Sequence, residues 1–397
     1  MEASLPANRA AGLLARPQEL SLLAVGAPNS RGRFRQRCNR VIPRWFRRRE
    51  RARWRRTISV GVASVVLLGF CLPASASAQL SGRMWDMCGQ ATDPNVVIGA
   101  CSQLVESGLL MGDDMAKVLA RRGVAYAQAG RNGEAFADLD RAVTLQPDVA
   151  IYRRDRGDAR RKLGWSRSLG WGTNPSAQTD LNEKAIGDYD AAWRLDPKDV
   201  LILTHRAEAF MALGRFERAL DDLDQAIALD TKLVAAWEGR GVARFNLGKL
   251  TEAITDFDVA VALDPAAVVV RLHRGLAYAN MGDYDRSIAD FDAAIGHDPA
   301  NANAFNFRGV SNLRRGRLDL AINDFDRALL LDPNYAGAYF NRGRAYYDKG
   351  DKDRALADFV QARSLDKRFP EPPADTSENY EADIPNRFGP RRPFSSP

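Results

Sequence analysis

The chain has 397 residues, with 57 Lys and Arg, 50 Asp and Glu, three His and a formal net charge of +7. Fifteen Arg, no Lys and three Glu (Glu2, Glu19, Glu50) fall in residues 1–57, a local net of +12, and residues 58–78 are uncharged, so the remainder is net −5. The basic character belongs to one terminal stretch, and the mildly acidic bulk excludes a nucleic-acid surface along it.

The basic stretch "RWFRRRERARWRR" (44–56) runs into the apolar "ISVGVASVVLLGFCL" (58–72) and then "PASASAQ", with small residues at Ala76 and Ala78. A basic region, a short apolar core and an A-x-A site predict a secretory signal peptide cut after Ala78. Fifteen residues rise only ~22 Å as a helix, short of a hydrocarbon core of about 30 Å. The expectation is a periplasmic or secreted mature chain that meets the membrane transiently through its signal. Retention as an inner-membrane signal anchor and a nucleic-acid-binding arm are the alternatives. Export removes Cys38 and Cys71 and leaves Cys88 and Cys101, a disulfide candidate in an oxidising compartment, or else two buried thiols. Residues 79–115 read as an N-terminal cap. Asp93 is placed to cap a helix that starts at Pro94, with Val97, Cys101, Leu104 and Val105 on one face.

From residue 116 the chain repeats. "RGLAYANMGDYDRSIADFDAAIGHDP" (274–299) is echoed at 240–265 and 308–333, and Gly241, Gly275, Gly309 and Gly343 fall 34 residues apart. Within a unit, apolar residues recur at helical spacing on both sides of a glycine (Gly130, Gly164, Gly214, Gly248, Gly282, Gly316, Gly350). That glycine is expected to end the first helix. Alanines at 142, 192, 226, 260, 294, 328 and 362 let the paired helices approach closely, and "LDP" usually closes the unit. Each helix–turn–helix pair is stable only when stacked.

Gly275, Tyr278, Ser287, Phe291, Ala294 and Pro299 resemble the tetratricopeptide repeat. Seven units are counted: 116–149, 150–199, 200–233, 234–267, 268–301, 302–335 and 336–369. Thr231 and Lys367 depart from the closing proline, and Arg160, Arg244 and Asn312 from an aromatic slot. The resemblance implies an all-α, right-handed superhelical solenoid whose concave wall is lined by first helices. It also implies protein or peptide binding, with no activity of its own.

One coordinated feature departs from the family pattern. Arg122, Arg156, Arg206, Arg240, Arg274, Arg308 and Arg342 are answered by Asp138, Asp188, Asp222, Asp256, Asp290, Asp324 and Asp358. The two readings are a charged rail for a ligand and a ladder of ion pairs between packed helices. The ladder is expected, because one ligand would not need the same pair seven times. The second unit is 16 residues too long. Its "GWSRSLGWGTNPSAQTD" (164–180) reads as an inserted loop, with Trp165 and Trp171 either capping helix ends or anchoring a partner.

Counting family positions along the first helices gives the candidate peptide-binding face: Phe245, Asn246, Leu272, Leu276, Asn280, Asn306, Val310, Leu313, Arg314, Phe340, Arg344 and Tyr347. Asn amides suit a peptide backbone, and the apolar residues supply pockets between them. The alternative is that several of the apolar members pack between neighbouring helices. No catalytic residue, metal-ligand cluster, phosphate loop or cofactor motif emerges. Residues 370–397 are Pro-rich and polar and are expected to be disordered. The combined reading is a non-catalytic binding scaffold of the bacterial cell envelope. A structural protein that self-assembles into a homodimer through its uncapped last repeat is the alternative, and a periplasmic enzyme a distant third.

Overall fold

The structure is a computed structural model and describes residues 74–168 and 175–370, all helices and short connections. The signal segment, Trp171, the Trp165 side chain and the tail from 371 lie outside the described residues. In chain order the helices are α1 (Ala74–Gln90), α2 (Pro94–Glu106), α3 (Gly112–Gln128), α4 (Asn132–Leu145), α5 (Ala150–Ser168), α6 (Pro175–Leu195), α7 (Val200–Ala212) and α8 (Phe216–Leu229). They continue as α9 (Val234–Asn246), α10 (Leu250–Leu263), α11 (Val268–Asn280), α12 (Tyr284–His297), α13 (Ala302–Arg314), α14 (Leu318–Leu331), α15 (Ala336–Asp348) and α16 (Lys352–Leu365). The seven pairs from α3 onward are the seven repeat units.

Two glycine positions explain the unit. Gly282, at φ 80°, turns α11 into α12, and equivalent left-handed glycines stand at 130, 214, 248, 316 and 350. Gly275 lies against the Phe291 ring, whose Cε1 would sit 2.7 Å from a Cβ added there, so the aromatic closes the pair only over a bare backbone. The third unit solves the same contact with Ala207 and the smaller Leu223, both buried. Buried residues of one unit continue into the next: Leu223, Ala236, Phe257 and Val270 belong to one cluster across three units.

The closing turn does not depend on proline. Asp264 Oδ1 accepts from the Ala266 amide at 3.0 Å, and Asp230 and Asp366 do the same for Lys232 (2.8 Å) and Arg368 (2.9 Å). An aspartate that bonds the amide two residues on makes the turn by itself. This is why Thr231 and Lys367 are tolerated in the proline slot.

The inserted loop expected at 164–180 is corrected. Gly164 lies within α5, which stays helical to Ser168, and α6 starts at Pro175, leaving 169–174 between them. The pair has 19 and 21 residues, against 13 and 14 in α9 and α10. A helix-interior glycine costs only about 1 kcal/mol, and proline suits a first helical position. Most of the insertion is therefore spent on longer helices.

Ahead of the array, Asp93 caps α2 by accepting from the Asn95 amide at 2.8 Å. Val97, Cys101 and Leu104 are buried with Met84 and Trp85 of α1 packed alongside. Cys88 and Cys101 meet between α1 and α2 with Cα atoms 5.0 Å apart, a separation that a disulfide spans.

Candidate functional site: the inner wall and its charged ladder

The inner side of the solenoid follows from which helices touch. Each first helix contacts the first helix of the next unit (α3 with α5, α5 with α7, and so on to α13 with α15), whereas successive second helices are not in contact among the described residues. A stack whose first helices converge and whose second helices splay curves around the first helices, so these form the concave wall.

The ladder fixes this stacking. Arg274 Nε and Nη2 hold Asp290 Oδ2 and Oδ1 at 2.8 and 2.5 Å, and Nη1 reaches Asp258 of the preceding unit at 2.8 Å. Arg308 repeats the arrangement with Asp324 and Asp292, and Arg342 with Asp358 and Asp326. Every ladder Asp is buried, so the array uses these charges for packing. The hydrogen bonds it donates to Asp290 hold the Arg274 guanidinium above its ordinary pKa against the opposing effect of burial. The second aspartates (Asp140, Asp190, Asp224, Asp258, Asp292, Asp326), which bind the next unit's arginine, were not assigned from sequence. Their signal is a D-x-D spacing in the second helices of units one to six, at the repeat period apart from the lengthened second unit.

The ladder also accounts for the three departures at the aromatic slot. Arg160 Nη1 bonds Asp188 at 2.7 Å, Arg244 Nη1 bonds Asp256 at 2.8 Å, and Asn312 Nδ2 bonds Asp324 at 3.0 Å. Each adds a further donor to a buried carboxylate, whose spare lone pairs would otherwise be costly.

The structure divides the predicted binding face into two groups. Leu272, Leu276, Asn306, Val310 and Phe340 are buried between helices. Both ends of the Asn306 amide are engaged: Nδ2 donates to Tyr335 Oη at 3.1 Å and Oδ1 accepts from Asn341 at 2.9 Å, while Tyr335 Oη donates to Asn303 at 2.8 Å. That network ties the sixth unit to the seventh. Phe245, Asn246, Leu313, Arg344 and Tyr347 are half-buried, and Asn280 and Arg314 are exposed. Asn246 and Asn280 donate to the carbonyls of Val242 and Leu276, each at 2.8 Å. Arg344 is steadied by Asp348 at 2.9 Å.

A charged section of the same wall, in the second and third units, was missed from sequence. Arg154 Nη1 bonds Asp199 at 2.7 Å, Tyr189 Oη donates to Asp158 at 2.6 Å, His205 Nδ1 lies 2.8 Å from the same oxygen, and Arg161 pairs with Glu208 at 2.5 Å. Burial pushes the Asp155 carboxyl up to about 6, with Arg154 beside it pulling the other way. Extending the position count to these two units would have found Arg154, Asp158, Arg161 and Glu208, and the exposed Ile151 and Leu201 at the wall's edge.

Models of the tetratricopeptide repeat match residues 116–149, 177–233, 204–268, 272–335 and 313–368, more than half of the chain. The chain belongs to the tetratricopeptide-repeat family. Among solved structures, a tetratricopeptide repeat protein from Parabacteroides merdae ATCC 43184 superposes with a TM-score of 0.50 at 22% identity, over 64% of this chain and 93% of that one. A chain of the APC/C hetero-tetramer Cut9-Hcn1 does so with a TM-score of 0.53 at 14% identity, over 77% of this chain and 56% of that one. No curated protein matches the chain. These likenesses concern the fold, and with the helix order they establish a right-handed superhelical tetratricopeptide-repeat solenoid of seven units behind an N-terminal cap.

Proposed function

We propose that this tetratricopeptide-repeat protein is a non-catalytic scaffold that holds a protein or peptide segment along the concave wall of units four to seven. One observation carries the reading. First helices alone line the inner surface, and there Phe245, Asn246, Asn280, Leu313, Arg314, Arg344 and Tyr347 reach solvent as a band of apolar, amide and cationic groups. Such a mixture suits a peptide backbone with apolar side chains better than a highly charged ligand.

The site of action in this reading is the bacterial cell envelope. The basic, apolar and A-x-A order of residues 44–78 supports export, and the Cys88–Cys101 geometry supports an oxidised pair in that compartment. Cleavage after Ala78 would remove the first five residues of α1 and keep Met84, Trp85 and Cys88, which pack on α2. The test is site-specific photo-crosslinking in cells, with the crosslinker at Tyr347 on the wall or at Leu330, which is 68% exposed on a second helix. A partner captured from Tyr347 and not from Leu330 is expected. Capture from Leu330 alone would move the binding surface to the convex side and end this reading.

A further inference from the structure

The chain leaves the last unit beside the surface that the groove presents. In units one to six the second aspartate of the D-x-D pair accepts the next unit's arginine, from Asp140 with Arg156 at 2.7 Å to Asp326 with Arg342 at 2.6 Å. In α16 that slot is Val360, 51% exposed. Beyond α16 the chain turns through Asp366–Phe369, where Arg363 Nη1 donates to the carbonyls of Lys367, at 2.5 Å, and Phe369. Phe369 lays its ring 5.0 Å from that of Phe340, on the wall helix α15. Phe340, Arg344 and Tyr347 follow the i, i+4, i+7 spacing of one helix face. The exit point is therefore at the foot of the stripe that ends in Tyr347, and Leu313, Tyr347 and Phe369 border one buried cluster.

The residues that follow are complementary to this end of the wall. Helices α13 and α15 hold Arg308, Arg314, Arg342 and Arg344 and one acid, Asp348. The ladder takes Arg308 and Arg342, so the cations at the groove surface are Arg314 and Arg344, with Asp348 beside the latter. The sequence "EPPADTSENYEAD" (371–383) carries Glu371, Asp375, Glu378, Glu381 and Asp383 and no Lys or Arg, with Tyr380 inside it and Ile384 next to it. Reach is ample. Eleven residues from Phe369 to Tyr380 span up to ~36 Å when extended, and neighbouring wall helices pack only about 10 Å apart.

We propose that the acidic segment 371–384 of this same chain docks on the concave wall of units six and seven, with Tyr380 and Ile384 as its apolar anchors. The carboxylates face the Arg314 and Arg344 section, and the two anchors meet the Leu313 and Tyr347 section. A tether this short presents the segment at a millimolar effective concentration. The segment holds the groove until a partner displaces it, and only a ligand that outcompetes an acidic, aromatic stretch of chain gains entry. The proposal rests on the reading of the wall as a peptide-binding surface.

The test is photo-crosslinking in the purified, dilute mature chain, with the crosslinker at Tyr347 or at the outward Leu330. Mass spectrometry is expected to find residues 378–388 joined to position 347 within a single chain, and no tail peptide joined to position 330. The combined variant Glu378→Lys, Glu381→Lys and Asp383→Lys should lower the yield from position 347 at least about twofold. Its melting should be unchanged, since these residues lie beyond the array. No tail peptide at position 347, or equal yields from 347 and 330, would overturn the proposal. Tail peptides joined only between two chains would also overturn it, by giving the groove to a second copy. A partner captured from Tyr347 in cells, beside a tail that never crosslinks in the purified chain, would end this proposal alone and keep the wall as a binding surface.

Discussion

Arg274 grips both carboxylate oxygens of Asp290, at 2.8 and 2.5 Å, across the interface between α11 and α12. The Asp290 side chain is 6% exposed, while Asp258, the arginine's other partner, is 52% exposed. Arg274→Leu leaves the buried Asp290 carboxylate with only Arg271, 3.9 Å away, as a cation, and should destabilise the protein by about 3 kcal/mol. Asp258→Ala removes a solvated pair and should cost less than about 1 kcal/mol. Urea denaturation of both variants checks the asymmetry, and equal losses would show that the two aspartates contribute alike.

Gly275→Ala should be destabilising by about 1–3 kcal/mol, because its Cβ would meet the Phe291 ring at 2.7 Å. Adding Phe291→Leu should restore most of the loss, since the third unit pairs Ala207 with Leu223 in the same place. Thermal melts of the single and double variants decide this. A double variant no better than Gly275→Ala would mean that the glycine is needed for another reason.

Asp155 should make stability depend on pH. Its carboxyl is raised from 3.8 to about 6 by burial, so between those values the folded state holds a proton that the unfolded chain has lost. Stability from this group is present at low pH and falls as pH rises through that window, by up to about 3 kcal/mol. Asp155→Asn should gain stability relative to wild type between pH 4 and pH 7. A difference that stays flat, or falls, contradicts this assignment.

Asn306→Ala should lower the melting temperature, because it deprives Tyr335 and Asn341 of their partner. The loss should be about 1–2 kcal/mol. Asn280→Ala, on an exposed side chain, should leave melting unchanged and weaken a groove ligand instead. If the two variants melt alike, the Asn306 network does not tie the last two units together.

Mass spectrometry of the native protein should find a start at or near Gln79 and a mass two hydrogens below that of the reduced chain. Cys88→Ser should then cost about 3 kcal/mol on the chain-entropy model for a loop of this size. An intact amino terminus, or two free thiols, would argue against export.

The sequence by itself determined the repeat, its helix pairs, the glycine turns and the pairing of Arg with Asp. These recur every 34 residues, and periodicity carries information that no single unit holds. It also held the D-x-D motif and its loss at Val360, although the meaning of the second aspartate depends on which neighbour it faces. The tertiary structure decided what the groove presents. Positions counted onto one face differ in burial, so Leu272 and Phe340, equivalent residues of the fifth and seventh units, are packed away while Tyr347, further along its helix, reaches solvent, and an amide such as Asn306 is committed to its neighbours. It also turned an apparent loop into longer helices, because a helix-interior glycine costs only about 1 kcal/mol and proline suits a first helical position. Local pattern fixed the units; contacts between units fixed which side chains remain available to a partner.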